Sequence, residues 1–259
     1  MKEKLKITIV QSHLLWEDIK ANREQFSEKI NLISEKTDLI IIPEMFTTGF
    51  TMNAQSLAEE EEGDTLHWMQ QEAEKQNAAI TGSIIIKDKG NYFNRLFFVF
   101  PDGHYKIYNK RHTFTLAGEH HTYASGHDSL QVDYQGWKIH PLICYDLRFP
   151  VWSRNTKDYD VLIYVANWPK KRIRAWDTLL RARAIENMCY CIGVNRTGLD
   201  GNNHQYIGHS AVYNVMGEQI STNLFEDEFT ETLTMEKSHI ETNRRHLQFL
   251  NDRDEFNLI

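Results

Sequence analysis

Cys144 closes the run His140-Pro141-Leu142-Ile143 and is followed at once by the polar turn Tyr145-Asp146-Leu147-Arg148. A cysteine kept for packing belongs inside such a run, because a free thiol behaves as a small hydrophobe. One at the rim is placed to react. Two other residues occupy the same kind of junction: Glu44 follows Leu39-Ile40-Ile41-Ile42-Pro43, and Lys110 ends the alternating stretch Tyr105-Lys106-Ile107-Tyr108-Asn109. The three types have complementary tasks. A thiolate attacks an electrophilic carbon, a neighbouring ammonium lowers the thiol pKa, and a carboxylate takes the proton and hands it to a leaving group. The ammonium also stabilises a tetrahedral oxyanion, with the backbone N–H of Tyr145 as second donor. Each residue has a structural reading as well: Glu44 as a solvated or capping group, Lys110 as the polar rim of a strand, Cys144 as packing. Type and spacing alone leave both readings open.

The elements that must bring these positions together are short β-branched runs alternating with helical patterns. Residues 5–11, 38–44, 78–88, 95–100, 138–146 and 160–168 read as strands, most of them apolar on both faces. Ile19, Phe26, Ile30 and Ile33 recur at helical spacing, as do Trp176, Leu179, Leu180 and Ala184, as expected of helices covering a sheet. This is the pattern of an α/β layered protein, whose chemistry gathers outside the carboxyl ends of the strands. Lys87-Asp88-Lys89-Gly90-Asn91 and Pro101-Asp102-Gly103 have hairpin turn residues, so some pairs are antiparallel and the sheets mixed. With no Pro/Ser-rich linker and no fixed-period repeat, residues 1–259 are expected to form a single domain. The acidic run Glu59 to Glu62 reads as a solvated loop or a helix entrance.

Composition narrows the class. With 29 basic against 36 acidic residues, the surface is not built to hold a polyanion, and nucleic acid is not an expected partner. The stretch MKEKLKITIV does not read as a secretory signal and no run reaches membrane-spanning length, so no membrane association is expected and the location read from the sequence is cytoplasmic. Three cysteines fit no disulfide framework. Cys189 and Cys191 would share one strand face and pack. His120, His121 and His127 have no metal-ligand spacing, and the glycines fit no nucleotide-binding frame, so neither a metal nor an organic cofactor is expected.

Ile41-Ile42-Pro43-Glu44-Met45-Phe46, Tyr108-Asn109-Lys110-Arg111-His112 and Ile143-Cys144-Tyr145-Asp146-Leu147-Arg148-Phe149-Pro150 resemble, in order, the three signature blocks of the nitrilase, or carbon–nitrogen hydrolase, superfamily. The resemblance implies a four-layer α-β-β-α sandwich with mixed sheets, a Glu-Lys-Cys triad, no cofactor, and a homodimer or larger assembly to which residues 236–259 could contribute. It places Glu44 on the general base, Lys110 on the oxyanion-stabilising lysine, Cys144 on the nucleophile, and Glu119 on a further glutamate that orients the lysine and touches the substrate amide. Val165-Ala166-Asn167-Trp168-Pro169, residues 179–187 and Gly193-Val194-Asn195-Arg196-Thr197-Gly198 resemble the omega-amidase branch, which deamidates monoamides of dicarboxylates such as 2-oxoglutaramate. Thr113 departs from the leucine that many members carry there.

Such a substrate has a remote carboxylate. Arg148 and the loop Lys170-Lys171-Arg172-Ile173-Arg174 are the candidates to hold it, since a guanidinium pairs bidentately with a carboxylate. Against this, a basic run is commonly a solvated face, and Arg148 could instead be a buried ion-pair partner. Trp168 is placed either to line the pocket or to close the edge of the core. Amidases for other small amides or N-carbamoyl compounds, a non-catalytic scaffold of the same fold, and a thiol-redox role for Cys144 are the competing readings.

Overall fold

The computed structural model describes residues 2–222 and 226–257. Its first half runs β1 (Lys4–Gln11), α1 (Ile19–Asn31), β2 (Leu39–Ile41), α2 (Ala54–Leu57), α3 (Asp64–Gln76), β3 (Ala79–Asp88), β4 (Asn91–Val99) and β5 (Tyr105–Asn109). The second runs β6 (Val132–Tyr134), β7 (Trp137–Ile143), β8 (Val161–Val165), α4 (Ile173–Asn187), β9 (Tyr190–Val194), β10 (Thr197–Leu199), β11 (Gln205–Ile207), β12 (Ala211–Tyr213), β13 (Phe229–Glu236) and α5 (Lys237–Leu247). A six-stranded sheet has the order β13-β1-β2-β3-β4-β5, and a five-stranded sheet the order β12-β9-β8-β7-β6. In each, three parallel strands sit centrally, β1-β2-β3 in one and β7-β8-β9 in the other, with antiparallel strands outside them. β10 and β11 form a separate hairpin.

Alternation along the strands decides which face meets which layer. Ile7, Ile9, Leu39, Ile41, Leu96 and Phe98 join Leu142, Ile163 and Val165 of the second sheet in one core. Their sequence neighbours Val10, Ile40, Ile42, Phe97 and Val99 point the other way, onto Phe26 and Ile30 of α1 and Leu66 and Met69 of α3. On the far side, α4 lies so close to β9 that a Cβ on Gly193 would come within 2.4 Å of Leu180. The result is the expected α-β-β-α sandwich.

Strands end earlier than their apolar runs. β2 stops at Ile41, β7 at Ile143 and β8 at Val165, so Glu44 and Asn167 lie on loops, and Cys144 opens a short 3-10 helix (Cys144–Arg148), just beyond carboxyl ends. The acidic run precedes α3, but it is not simply solvated. Glu59 accepts from the Thr65 N–H at 2.8 Å, and Glu61 pairs with buried Arg95. α5 docks on its own chain, with Arg244 donating to the carbonyls of Met188 and Tyr159. Of the 236–259 segment assigned to an interface, 258 and 259 lie outside the described residues. No helix among the described residues is long and apolar enough to cross a membrane.

Candidate active site

Glu44 and Lys110 leave the first sheet and Cys144 leaves the second, and the three meet at the seam between them. Lys110 is buried with its ammonium against two carboxylates: 2.9 Å from Glu44 Oε1, and 3.0 and 2.9 Å from the two oxygens of Glu119. Glu44 is held from both sheets. Asn94 Nδ2 on β4 donates to its Oε1 at 2.7 Å, and the Asn167 N–H beyond β8 donates to its Oε2 at 2.7 Å. Asn167 Nδ2 also reaches the Glu44 carbonyl at 2.5 Å. Glu119 is fixed in turn by the Phe114 N–H.

Two of the junctions turn on a non-glycine residue in left-handed conformation: Met45, after Glu44, at φ +42°, and Cys144 itself at φ +44°. Such residues persist only where neighbours over-determine them, and they gather at functional sites. For Cys144 the neighbour is Asp146, fully buried one turn on. Its carboxylate accepts from the Ile143 N–H (3.1 Å), the Tyr108 hydroxyl (2.8 Å), the His112 N–H (3.0 Å) and His112 Nδ1 (2.7 Å). One side chain therefore clamps the cysteine turn to the segment that carries Lys110.

Burial opposes the charge on Lys110, but Glu119 and Glu44 outweigh it and hold its pKa above the usual lysine range. Burial, against the pull of Lys110 and aided by Glu44, raises that of Glu119. Cys144 corrects an expectation. The sequence reading has the lysine lowering the thiol pKa; here burial, and next the Glu44 carboxylate, push it well up, and Lys110 offsets only part of this. At neutral pH the resting group is the thiol, so its proton must be taken as it attacks.

The sulfur opens into a cavity of about 640 Å³. Tyr145, Arg148, Trp168 and Arg172, the four substrate-binding candidates, all line it, as do Lys110 and Cys144. Glu44 and Glu119 stand behind Lys110, without exposure. Arg148 is exposed over the Trp168 ring at 5.1 Å, so it is no buried ion-pair partner; Arg172 stands over Phe114 at 4.8 Å. Trp168 fulfils both of its readings, packing in the core and facing the cavity. Within the basic loop, Arg172 faces the cavity and Lys170, Lys171 and Arg174 are exposed.

Sequence reasoning missed the supporting residues Asn94, Asn167 and Asp146 as partners, and also a further stretch of the cavity wall: Glu17, Asp200, His204 and Tyr206. The signal for that wall was present in Asp200-Gly201-Asn202-Asn203, a run of turn residues that marks the β10–β11 hairpin.

Residues 6–240 match the carbon-nitrogen hydrolase family. The chain belongs to that family. As a carbon-nitrogen hydrolase it is 47% identical over 220 residues to the omega-amidase YafV of Escherichia coli K12, covering 84% of each chain. It is 35% identical to the 2-oxoglutaramate amidase of Bacillus subtilis, covering 73% of this chain and 74% of that one. Among solved structures, XC1258 from Xanthomonas campestris, a CN-hydrolase superfamily protein with an arsenic adduct in its active site, superposes with a TM-score of 0.97. That likeness is at 40% identity and covers all of both chains. The layered architecture of this carbon-nitrogen hydrolase is thus the one its relatives share.

Proposed function

We propose that the protein is an omega-amidase, hydrolysing the terminal amide of small dicarboxylate monoamides of the 2-oxoglutaramate and succinamate type to acid and ammonia. One observation carries the reading. The buried Glu44–Lys110–Glu119 cluster sits beside Cys144 on the floor of a cavity whose wall bears two arginines. The names of the relatives, omega-amidase and 2-oxoglutaramate amidase, support the same class.

In this mechanism Cys144 Sγ attacks the amide carbon while Glu44 takes the thiol proton, a transfer that the raised thiol pKa makes obligatory. The oxyanion forms against the Lys110 ammonium and the Tyr145 N–H. Glu44 then protonates the nitrogen, the C–N bond breaks, ammonia leaves, and the acyl group remains on sulfur as a thioester. A water attacks that thioester as Glu44 takes its proton. The acid departs and the proton returns to the sulfur. Glu119 is a positioning residue that holds Lys110. Arg148 and Arg172 take the remote carboxylate, a preference that an uncharged amide would not exploit. A homodimer in a reducing cytoplasm completes the proposal, and the free thiols of buried Cys189 and Cys191 suit such a compartment.

The test is ammonia release from 2-oxoglutaramate, succinamate and N-carbamoyl amino acids by the wild type and Cys144→Ala. The first two should turn over and the variant should not, with its thermal melt unchanged. Substantial turnover by the variant, or preference for the carbamoyl compounds, rejects the assignment.

A further inference from the structure

The cavity wall next to Arg172 is a built hydrogen-bonding surface that the amidase chemistry does not use. It comes from the β10–β11 hairpin. Asp200 is its anchor: Oδ1 accepts from the N–H groups of Asn202 and His204, both at 2.9 Å. Oδ2 accepts from the Tyr206 hydroxyl at 3.0 Å and His204 Nδ1 at 3.2 Å. The carboxylate is saturated, so it offers nothing to a ligand. The groups it aims into the cavity do. With its proton committed to Asp200, the Tyr206 oxygen presents lone pairs; with Nδ1–H committed likewise, the outer nitrogen of the His204 ring, Nε2, accepts whenever that ring carries a single proton. The wall therefore presents acceptors to the cavity.

Its surroundings choose among donors. The Arg196 guanidinium lies under the Tyr206 ring, 4.7 Å from its centroid. It is fully buried, donates to the carbonyls of Leu14, Thr197 and Leu199, and keeps Nη1 without a partner. The short helix ending in Arg172 packs against β11 from the other side. The guanidiniums of Arg196 and Arg172 are matched here by the carboxylates of Asp200 and Glu17, so charge does not decide; an ammonium against this wall would need acceptors for three donors, whereas a hydroxyl needs one.

We infer that the Tyr206–His204 wall is a subsite for a hydroxyl on the carbon next to the remote carboxylate, so the preferred substrates are ω-monoamides of 2-hydroxy acids or of hydrated 2-oxo acids. This deepens the omega-amidase reading and rests on it for the orientation of the ligand. The hydroxyl donates to the wall while the carboxylate stays with Arg148 and Arg172.

Affinity measured on the Cys144→Ala protein tests this apart from turnover. Titration calorimetry would compare glutaramate with its 2-hydroxy, 2-oxo and 2-amino derivatives. The 2-hydroxy compound should bind about tenfold tighter than glutaramate, the worth of one hydrogen bond. Adding Tyr206→Phe, which keeps the ring over Arg196, should reduce that ratio, and adding His204→Phe as well should bring it near one. If the 2-oxo compound shows the same gain and the same loss, it binds as its hydrate; a gain for the 2-hydroxy compound alone assigns the subsite to 2-hydroxy acids. An equal affinity for glutaramate, a preference that survives both substitutions, or tightest binding of the 2-oxo compound alone or of the 2-amino compound overturns the inference. Failure of the amidase reading shows separately, as no ammonia from any of these amides with the wild type.

Discussion

Glu44 acts on Cys144 in two opposed ways, and the opposition can be measured. As a charge it holds the thiol protonated; as a base it removes the proton during attack. Glu44→Gln removes both effects. Iodoacetamide should then alkylate Cys144 at lower pH than in the wild type, the profile moving down by roughly one unit or more. Ammonia release should meanwhile fall by about 10²- to 10⁴-fold. A variant that loses activity with an unmoved alkylation profile would mean that the carboxylate does not govern the thiol. The residue types at this site were legible in the sequence because a thiol, an ammonium and a carboxylate each ended a strand-like run. The direction of the thiol shift was not. It depends on how deeply the three are buried together, and burial depth is a property of the packed sandwich rather than of any local stretch.

At the scale of elements, the strand exits are what make those residues usable, and Asp146 is the device that shapes one of them. A carboxylate offers two acceptor oxygens, and Asp146 uses both against four donors from two segments. Asp146→Asn would turn one oxygen into an amide that faces donors. The loss should cost about 2–4 kcal/mol and lower the melting temperature by roughly 5–15 °C, with activity falling alongside. Glu44→Gln turns one accepting oxygen into an amide that faces donors in the same way, so it too should lower the melting temperature along with activity. An Asp146→Asn protein as stable and active as wild type would show that the left-handed turn at Cys144 holds without its clamp. Asp146 lay in plain sight within the cysteine block, but its partners Tyr108 and His112 are 38 and 34 residues away in sequence, and no local pattern reports them. The same holds for Asn94 and Asn167, which grip Glu44 from β4 of one sheet and from the loop beyond β8 of the other. The β10–β11 hairpin is the other case: its strands are three residues each, too short for alternation to register, and only the turn run between them shows.

Across the whole molecule, the site doubles as a tie between the sheets, and the core around it carries a titratable group that the chemistry does not need. His140 sits on β7, buried, with Nδ1 donating to the Leu130 carbonyl at 2.6 Å and its ring stacked on Tyr159. Burial, against the help of that carbonyl, lowers its pKa from 6.5 to about 4. The folded chain thus refuses a proton that the unfolded chain accepts between those two values, so stability is complete above pH 6.5 and declines as the pH falls toward 4. The shift corresponds to about 3 kcal/mol by the lower end of that window, with no further loss from this group below it. His140→Gln should cost stability at pH 7 through altered packing, yet lose less than the wild type on going from pH 7 to pH 4.5. Denaturant unfolding at the two pH values measures this as a difference of differences, in which the carboxylates common to both proteins cancel. Equal losses in the two proteins would mean that the imidazole is protonated inside the core, and the acid sensitivity of the fold would then have to originate elsewhere than in this histidine.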